Sequence, residues 1–94
     1  MDKEMRAFKN EKGFKIIEAS AQEIVSIGGW GICDCCNIQP SNGYLIPVLS
    51  ASWYCEKCYT RWTEEAEGVY HENDKAYEDR TYDYYLALLK ERNG

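Results

Sequence analysis

Four cysteines stand in two pairs, Cys33-x-x-Cys36 and Cys55-x-x-Cys58, with 18 residues between the pairs. Two residues between cysteines form a turn that aims both sulfurs at one point. Two such pairs about 15–20 residues apart have the spacing of a four-thiolate zinc site. One structural Zn(II) held by Cys33, Cys36, Cys55 and Cys58 is therefore expected. Four protein ligands leave no coordination position for water or substrate, so such an ion contributes folding free energy and not Lewis-acid catalysis. Redox chemistry of the thioredoxin kind fits less well, since neither pair sits between a strand and a helix of a βαβ unit. Cys35 reads as a spectator thiol, because its neighbours already supply the productive spacing; the alternative is its recruitment in place of one of them. His71, the only histidine, lies in the polar stretch Val69–Asp74 and reads as a solvated loop residue. With no nucleophile or second metal site beside it, an enzyme is not expected.

The residues that follow each pair indicate how the site is held. Asn37 follows Cys36, and asparagine tolerates the left-handed backbone of a tight metal knuckle. Tyr59 follows Cys58 and opens an apolar stripe, Tyr59, Trp62, Ala66 and Val69, at helical spacing. The second pair thus belongs on a helix's first turn, where free amides and the helix dipole favour thiolates. A knuckle, a hairpin and a helix carrying the second pair make a treble clef. A symmetric ribbon would place a turn residue after both pairs.

Around that core the pattern alternates between strand and helix. Gly13–Glu18 reads as a strand, with Phe14 and Ile16 alternating with polar neighbours. Ser20 and Glu23 form a capping box that opens a helix over Ala21–Ile27, closed by Gly28 and Gly29. Gly43–Leu49 reads as a strand, placed at an edge because Pro47 cannot donate to a ladder. Ser50–Ser52 is a turn, and Trp53–Tyr54 returns. A helix starts near Glu56, and another runs from a cap at Asn73 or Asp74 to about Glu91. The expected fold is α+β, a single domain over 1–94, treble-clef-like, with a short β-hairpin and two or three helices. Its zinc core covers about 30–70, and an acidic, tyrosine-rich helix covers about 74–91.

A chain of 94 residues forms one domain with a modest core, and five cysteines are many for that length. The first ten residues alternate charges and lack the apolar segment of a signal peptide. No apolar run approaches the roughly 18–20 residues that span a bilayer. A reducing cytoplasm, where paired cysteines are metal ligands, is the expected setting. The net charge of −5 comes wholly from residues 63–94, which carry nine acids against four bases. Such a balance repels phosphate backbones and attracts basic surfaces. That third also holds Tyr77, Tyr82, Tyr84 and Tyr85 on two faces of the last helix. Tyrosine supplies contact area at small entropic cost, so Asp74, Tyr77, Glu78, Asp79, Tyr82 and Asp83 are the candidate contacts to a basic partner. Core packing and simple solvation of the helix are the alternatives for these tyrosines and acids.

The segment Gly28-Gly29-Trp30-Gly31-Ile32-Cys33-Asp34-Cys35-Cys36, with Gly43–Leu49 and Trp53–Trp62, is similar to small zinc proteins of bacteriophages and mobile elements. In size, acidity and metal set the chain resembles anti-CRISPR proteins acting on type II systems. That resemblance implies a zinc-stabilised inhibitor that docks on the effector nuclease in the bacterial cytoplasm. RNA-guided nucleases hold guide and target in positively charged channels, which an acidic protein could block. Two other readings compete. One is a nucleic-acid-binding treble clef using Lys3, Arg6, Lys9, Lys12 and Lys15, which alternate with acids. The other is a zinc-stabilised accessory subunit of another complex.

Overall fold

The computed structural model describes residues 6–66 and 72–93, with side chains described over 6–66 and 75–91. His71 and Val69 lie outside the described residues, as does the side chain of Asp74. Four strands form one antiparallel sheet in the order β1 (Arg6–Lys9), β2 (Lys15–Ser20), β3 (Asn42–Ile46), β4 (Ser52–Tyr54). Three helices accompany it: α1 (Ala21–Ser26), α2 (Glu56–Glu65) and α3 (Glu72–Asn93). The chain is α+β, and its centre follows the treble-clef plan of knuckle, hairpin (β3–β4) and helix (α2). The strand expected over Gly13–Glu18 joins the hairpin as β2, and β1, which was not expected, adds a fourth strand on the same side.

The pairing places alternate residues on opposite faces. Ile17 lies opposite Leu45, and Leu45 opposite Trp53, so these three share a face. That face packs against Ile24 of α1 and Leu89 of α3. The other face carries Phe8, Ile16, Tyr44 and Ile46, packed with Phe14 and with Tyr59 and Trp62 of α2. Helices thus cover both faces of β2, which is why Ile16 and Ile17, consecutive in sequence, are both fully buried.

Strand β1 was hidden in the sequence because Arg6-Ala7-Phe8-Lys9 has one large apolar residue among charges. Its pairing with β2 depends on the turn between them. The Asn10 side chain accepts from the backbone N–H of Lys12 and Phe14, both at 3.0 Å, and Gly13 takes a left-handed φ of 85°. The edge placement of Gly43–Leu49 is corrected: β3 is an interior strand, bonded to β2 and β4. Pro47 lies just past its end, at the first position of a 3-10 turn, Pro47–Leu49, where a missing N–H is harmless. The five-residue connection into β4 holds Ser50 and Ala51 at left-handed φ of 58° and 60° after that turn.

Helix α1 begins with the capping box as read. Ser20 Oγ accepts from the Glu23 N–H at 3.1 Å, and Glu23 Oε1 accepts from the Ser20 N–H at 2.8 Å. Gly28 follows the helix at φ of 95°. Helix α2 ends at Glu65, with Ala66 already extended. No helix among the described residues is long and apolar enough to cross a membrane.

Candidate metal centre

Cys33 and Cys36 sit in a knuckle that the backbone folds on itself. Cys33 N–H donates to Ile38 O at 2.9 Å, and Asn37 N–H donates to Cys33 O at 2.9 Å. Asn37 adopts a φ of 65°, the left-handed conformation expected of it. The amides of Cys35 and Cys36 point at Cys33 Sγ from 3.4 and 3.5 Å. Cys55 is the N-cap of α2 and Cys58 lies in its first turn, with Tyr59 N–H donating to Cys55 O at 2.9 Å. Aromatic packing seats that helix: Tyr59 stacks on Tyr44 of β3 with ring centroids 4.2 Å apart, and Trp62 lies 4.9 Å from Phe14.

The knuckle is fastened to the hairpin through Asp34 and Trp53. Asp34 N–H donates to Trp53 O at 2.9 Å, and Trp53 N–H donates to Asp34 Oδ2 at 2.8 Å. Trp53 Nε1 in turn donates to Ala19 O at 3.1 Å, carrying the connection to β2. The Trp53 ring lies over Gly43, where an added Cβ would come within 2.6 Å of Cε2. Sequence spacing did not reveal the role of Asp34, because its backbone and carboxylate act on a residue 19 positions away.

The outcome is that the sulfurs of Cys33, Cys36, Cys55 and Cys58 all lie within 4.8 Å of one another, three of the four residues being buried. Four thiolates about 2.3 Å from a common centre, arranged tetrahedrally, have edges of about 3.8 Å. The Cys36–Cys55 sulfur separation is 3.7 Å. The four residues therefore fit a metal ion, and the cluster is the expected one.

The electrostatics agree. Burial alone would push the Cys33 thiol up, but the backbone N–H groups of Cys36, Cys55 and Cys35 overcome it and bring the thiol down to about 6. For Cys58, burial followed by the neighbouring sulfurs drives the thiol far above its ordinary range. Cys36 accepts from the Ile38 amide, which favours its thiolate, yet desolvation and the sulfurs of Cys33 and Cys55 leave it raised. Several thiolates in this volume repel one another until a cation neutralises them. Burial also raises the Tyr54 phenol, helped by the nearby cysteine sulfurs.

Cys35 is exposed and stands outside the four-sulfur cluster, with Arg61 Nη2 donating to its sulfur at 3.4 Å. The candidate partner residues on α3 separate into two groups. Asp83 is exposed and Tyr77 is 38% exposed. Glu78 is a correction: its carboxylate is fully buried, accepting from the Lys15 backbone N–H at 3.0 Å and from Lys75 Nζ at 3.1 Å. Asp79 pairs with Lys15 at 2.8 Å, and the Tyr82 ring packs under Lys15 Nζ at 4.9 Å while contacting the core. These three residues hold α3 to β2. Tyr84, which was not among the candidates, is 62% exposed on the outer side of the helix.

Comparison of the chain with protein-family models, with curated proteins and with solved structures gives no match.

Proposed function

We propose that the chain is a zinc-stabilised protein-interaction module whose four cysteines hold one structural Zn(II). The observation that carries this reading is the convergence of four sulfurs within 4.8 Å from two distant segments. An all-thiolate tetrahedral set selects zinc or iron–sulfur chemistry, and two Cys-x-x-Cys pairs on a knuckle and a helix start are the usual ligand set of a structural zinc. With all four positions filled by protein, the ion joins the knuckle to α2 and does not perform catalysis.

The interaction role rests on charge and exposed aromatics. The chain carries −5 before its thiolates are counted, and four thiolates around one zinc(II) add about −2 more. Asp83 and Tyr84 stand exposed on the outer side of α3. This surface suits a basic protein partner. The resemblance to type II anti-CRISPR proteins makes that partner the guide-loaded effector nuclease, with entry of target DNA as the blocked step.

Metal analysis of purified protein should give one zinc per chain and no iron, and chelation should abolish cooperative melting followed by circular dichroism. Unchanged melting after chelation refutes the structural ion. Co-elution with a guide-loaded type II nuclease, lost on adding pre-formed target complex and weakened by Asp83→Lys with Tyr84→Ala, supports the inhibitor reading. Failure to co-elute at micromolar concentration removes that partner and leaves the zinc module intact.

A further inference from the structure

The loop between α1 and the knuckle combines a backbone hydrogen-bonded to α1 with a protruding indole. Gly28 and Gly29 donate to Val25 O and Ile24 O at 3.0 and 2.9 Å, closing the loop onto α1. Gly29 has no room for a side chain: an added Cβ would meet Ile24 Cγ2 at 2.4 Å and Ile24 O at 3.0 Å. Gly31, at φ of 70°, lies close to Val25 and Ala21, where an added Cβ would stand 3.2 Å from Val25 Cγ2. Between these seated glycines Trp30 is 85% exposed, the most exposed of the large apolar side chains described. Val25, against the same loop, is 56% exposed.

Beside Trp30 opens a recess of about 180 Å³, walled by Ile24, Ile27, Leu45, Ala51, Trp53 and Tyr85. Apolar cavities of roughly 150 Å³ admit a benzene ring. This recess has the size for one phenyl or branched aliphatic group. Asp34 also lines it, exposed, with Oδ2 committed to the Trp53 N–H. An indole face attracts a cation, and the Asp34 carboxylate adds a negative charge at the same mouth. The Asp34 carboxylate at the mouth disfavours a second copy, which would bring the same charge, and favours a basic segment.

We propose that this recess and Trp30 form a docking site for a basic segment of a partner protein that presents one apolar side chain beside an arginine or lysine. The apolar side chain fills the recess, and the neighbouring cation lies on the Trp30 indole within reach of Asp34. Rigid protruding aromatics beside a pocket are the usual anchors of protein interfaces, and a pinned loop loses little freedom on binding. This inference rests on the interaction-module reading but locates contact at the α1–knuckle loop and not on the outer side of α3.

The first test uses zinc-loaded, ¹⁵N-labelled protein and a short synthetic peptide with one phenylalanine between arginines. The Trp30 indole N–H signal and the amides of residues 27–32 should shift on titration. Shifts should disappear when the phenylalanine is alanine, and when Trp30→Ala protein is used and its amides are followed. They should weaken by about tenfold in affinity when the arginines are glutamates, and by about two- to fivefold when Asp34→Asn protein is used. Equal binding of the acidic peptide, equal binding of the alanine peptide, or no shift at millimolar peptide overturns the proposal. A concentration-dependent dimer abolished by Trp30→Ala also overturns it, since the occupant would then be a second copy.

The second test compares wild-type and Trp30→Ala protein in co-elution with the type II nuclease. Binding by wild-type alone supports the site. Equal binding by both overturns this site while the interaction reading stands. Absence of binding by both removes that partner only, and the peptide titration then decides the docking site by itself.

Discussion

Replacement of Glu78 by alanine should be among the most damaging single changes outside the cysteines. The carboxylate has no solvent exposure and accepts from the Lys15 backbone N–H at 3.0 Å, at the first residue of β2. Lys75, a further partner at 3.1 Å, is 40% exposed and keeps water and Asp79, 3.6 Å away, if the carboxylate is lost, so that pair is discounted. The cost then comes mainly from an orphaned amide and the space left behind. A hydrogen bond to a charged group is worth about 1.5–3 kcal/mol, and the unfilled volume adds to it, for about 3 kcal/mol in all. For a domain of this size that corresponds to a fall of about 12–24 °C in Tm. Glu78→Gln keeps an acceptor for the Lys15 amide and should lose only about 1 kcal/mol. Denaturant titration of the zinc-loaded variants, with the metal content checked, measures both. A loss below about 1 kcal/mol for Glu78→Ala, or equal losses for the two variants, would show that the buried hydrogen bond does not hold α3 to β2. Glu78→Gln should also retain partner binding, because the side chain does not reach the surface.

Gly43→Ala places a methyl group 2.6 Å from both Trp53 Cε2 and Tyr54 O, so it should destabilise by about 2 kcal/mol or more in thermal melts and weaken zinc retention. Ser20→Ala removes the hydroxyl that accepts from the Glu23 N–H and should cost about 1 kcal/mol with no change in metal stoichiometry. The hydrogen bond and charge of Lys15 hold the Asp79 carboxyl below the usual carboxylate range, and Asp79 in turn holds Lys15 above its ordinary value. A lowered carboxyl contributes stability that is present above its unfolded value of about 3.9 and is lost as pH falls through the lower folded value. A raised ammonium contributes stability present below about 10.4 and lost as pH rises through its higher folded value. Asp79→Asn should therefore flatten both the acid and the alkaline limb of stability against pH, measured against wild type in the same buffers. An unchanged alkaline limb in the variant would place the Lys15 shift elsewhere.

Local chemistry was enough to read the metal-binding plan from the chain. The two Cys-x-x-Cys pairs, Asn37 with its left-handed backbone, and the second pair at the start of α2 all depend on residues within a few positions of one another. The Ser20–Glu23 capping box and the turn before Trp53 are legible for the same reason. The pairing of β1 with β2 was not, because one phenylalanine among charges carries no alternation. Nor was the interior position of β3, since a strand with a proline just beyond its end resembles an edge strand until its neighbours are known. The two faces of α3 show the difference most directly. Periodicity puts apolar groups on both, and it also puts Glu78, Asp79 and Tyr82 among residues suited to a surface. Which face is covered depends on where β2 and its Lys15 lie in space, 63 positions away from Glu78 in the chain. The same holds for Trp30: hydrogen bonds to α1 and the close packing of Gly29 on Ile24 set the loop against the helix and leave the indole in solvent. Burial and exposure are properties of long-range packing, and no local pattern of residue types encodes them.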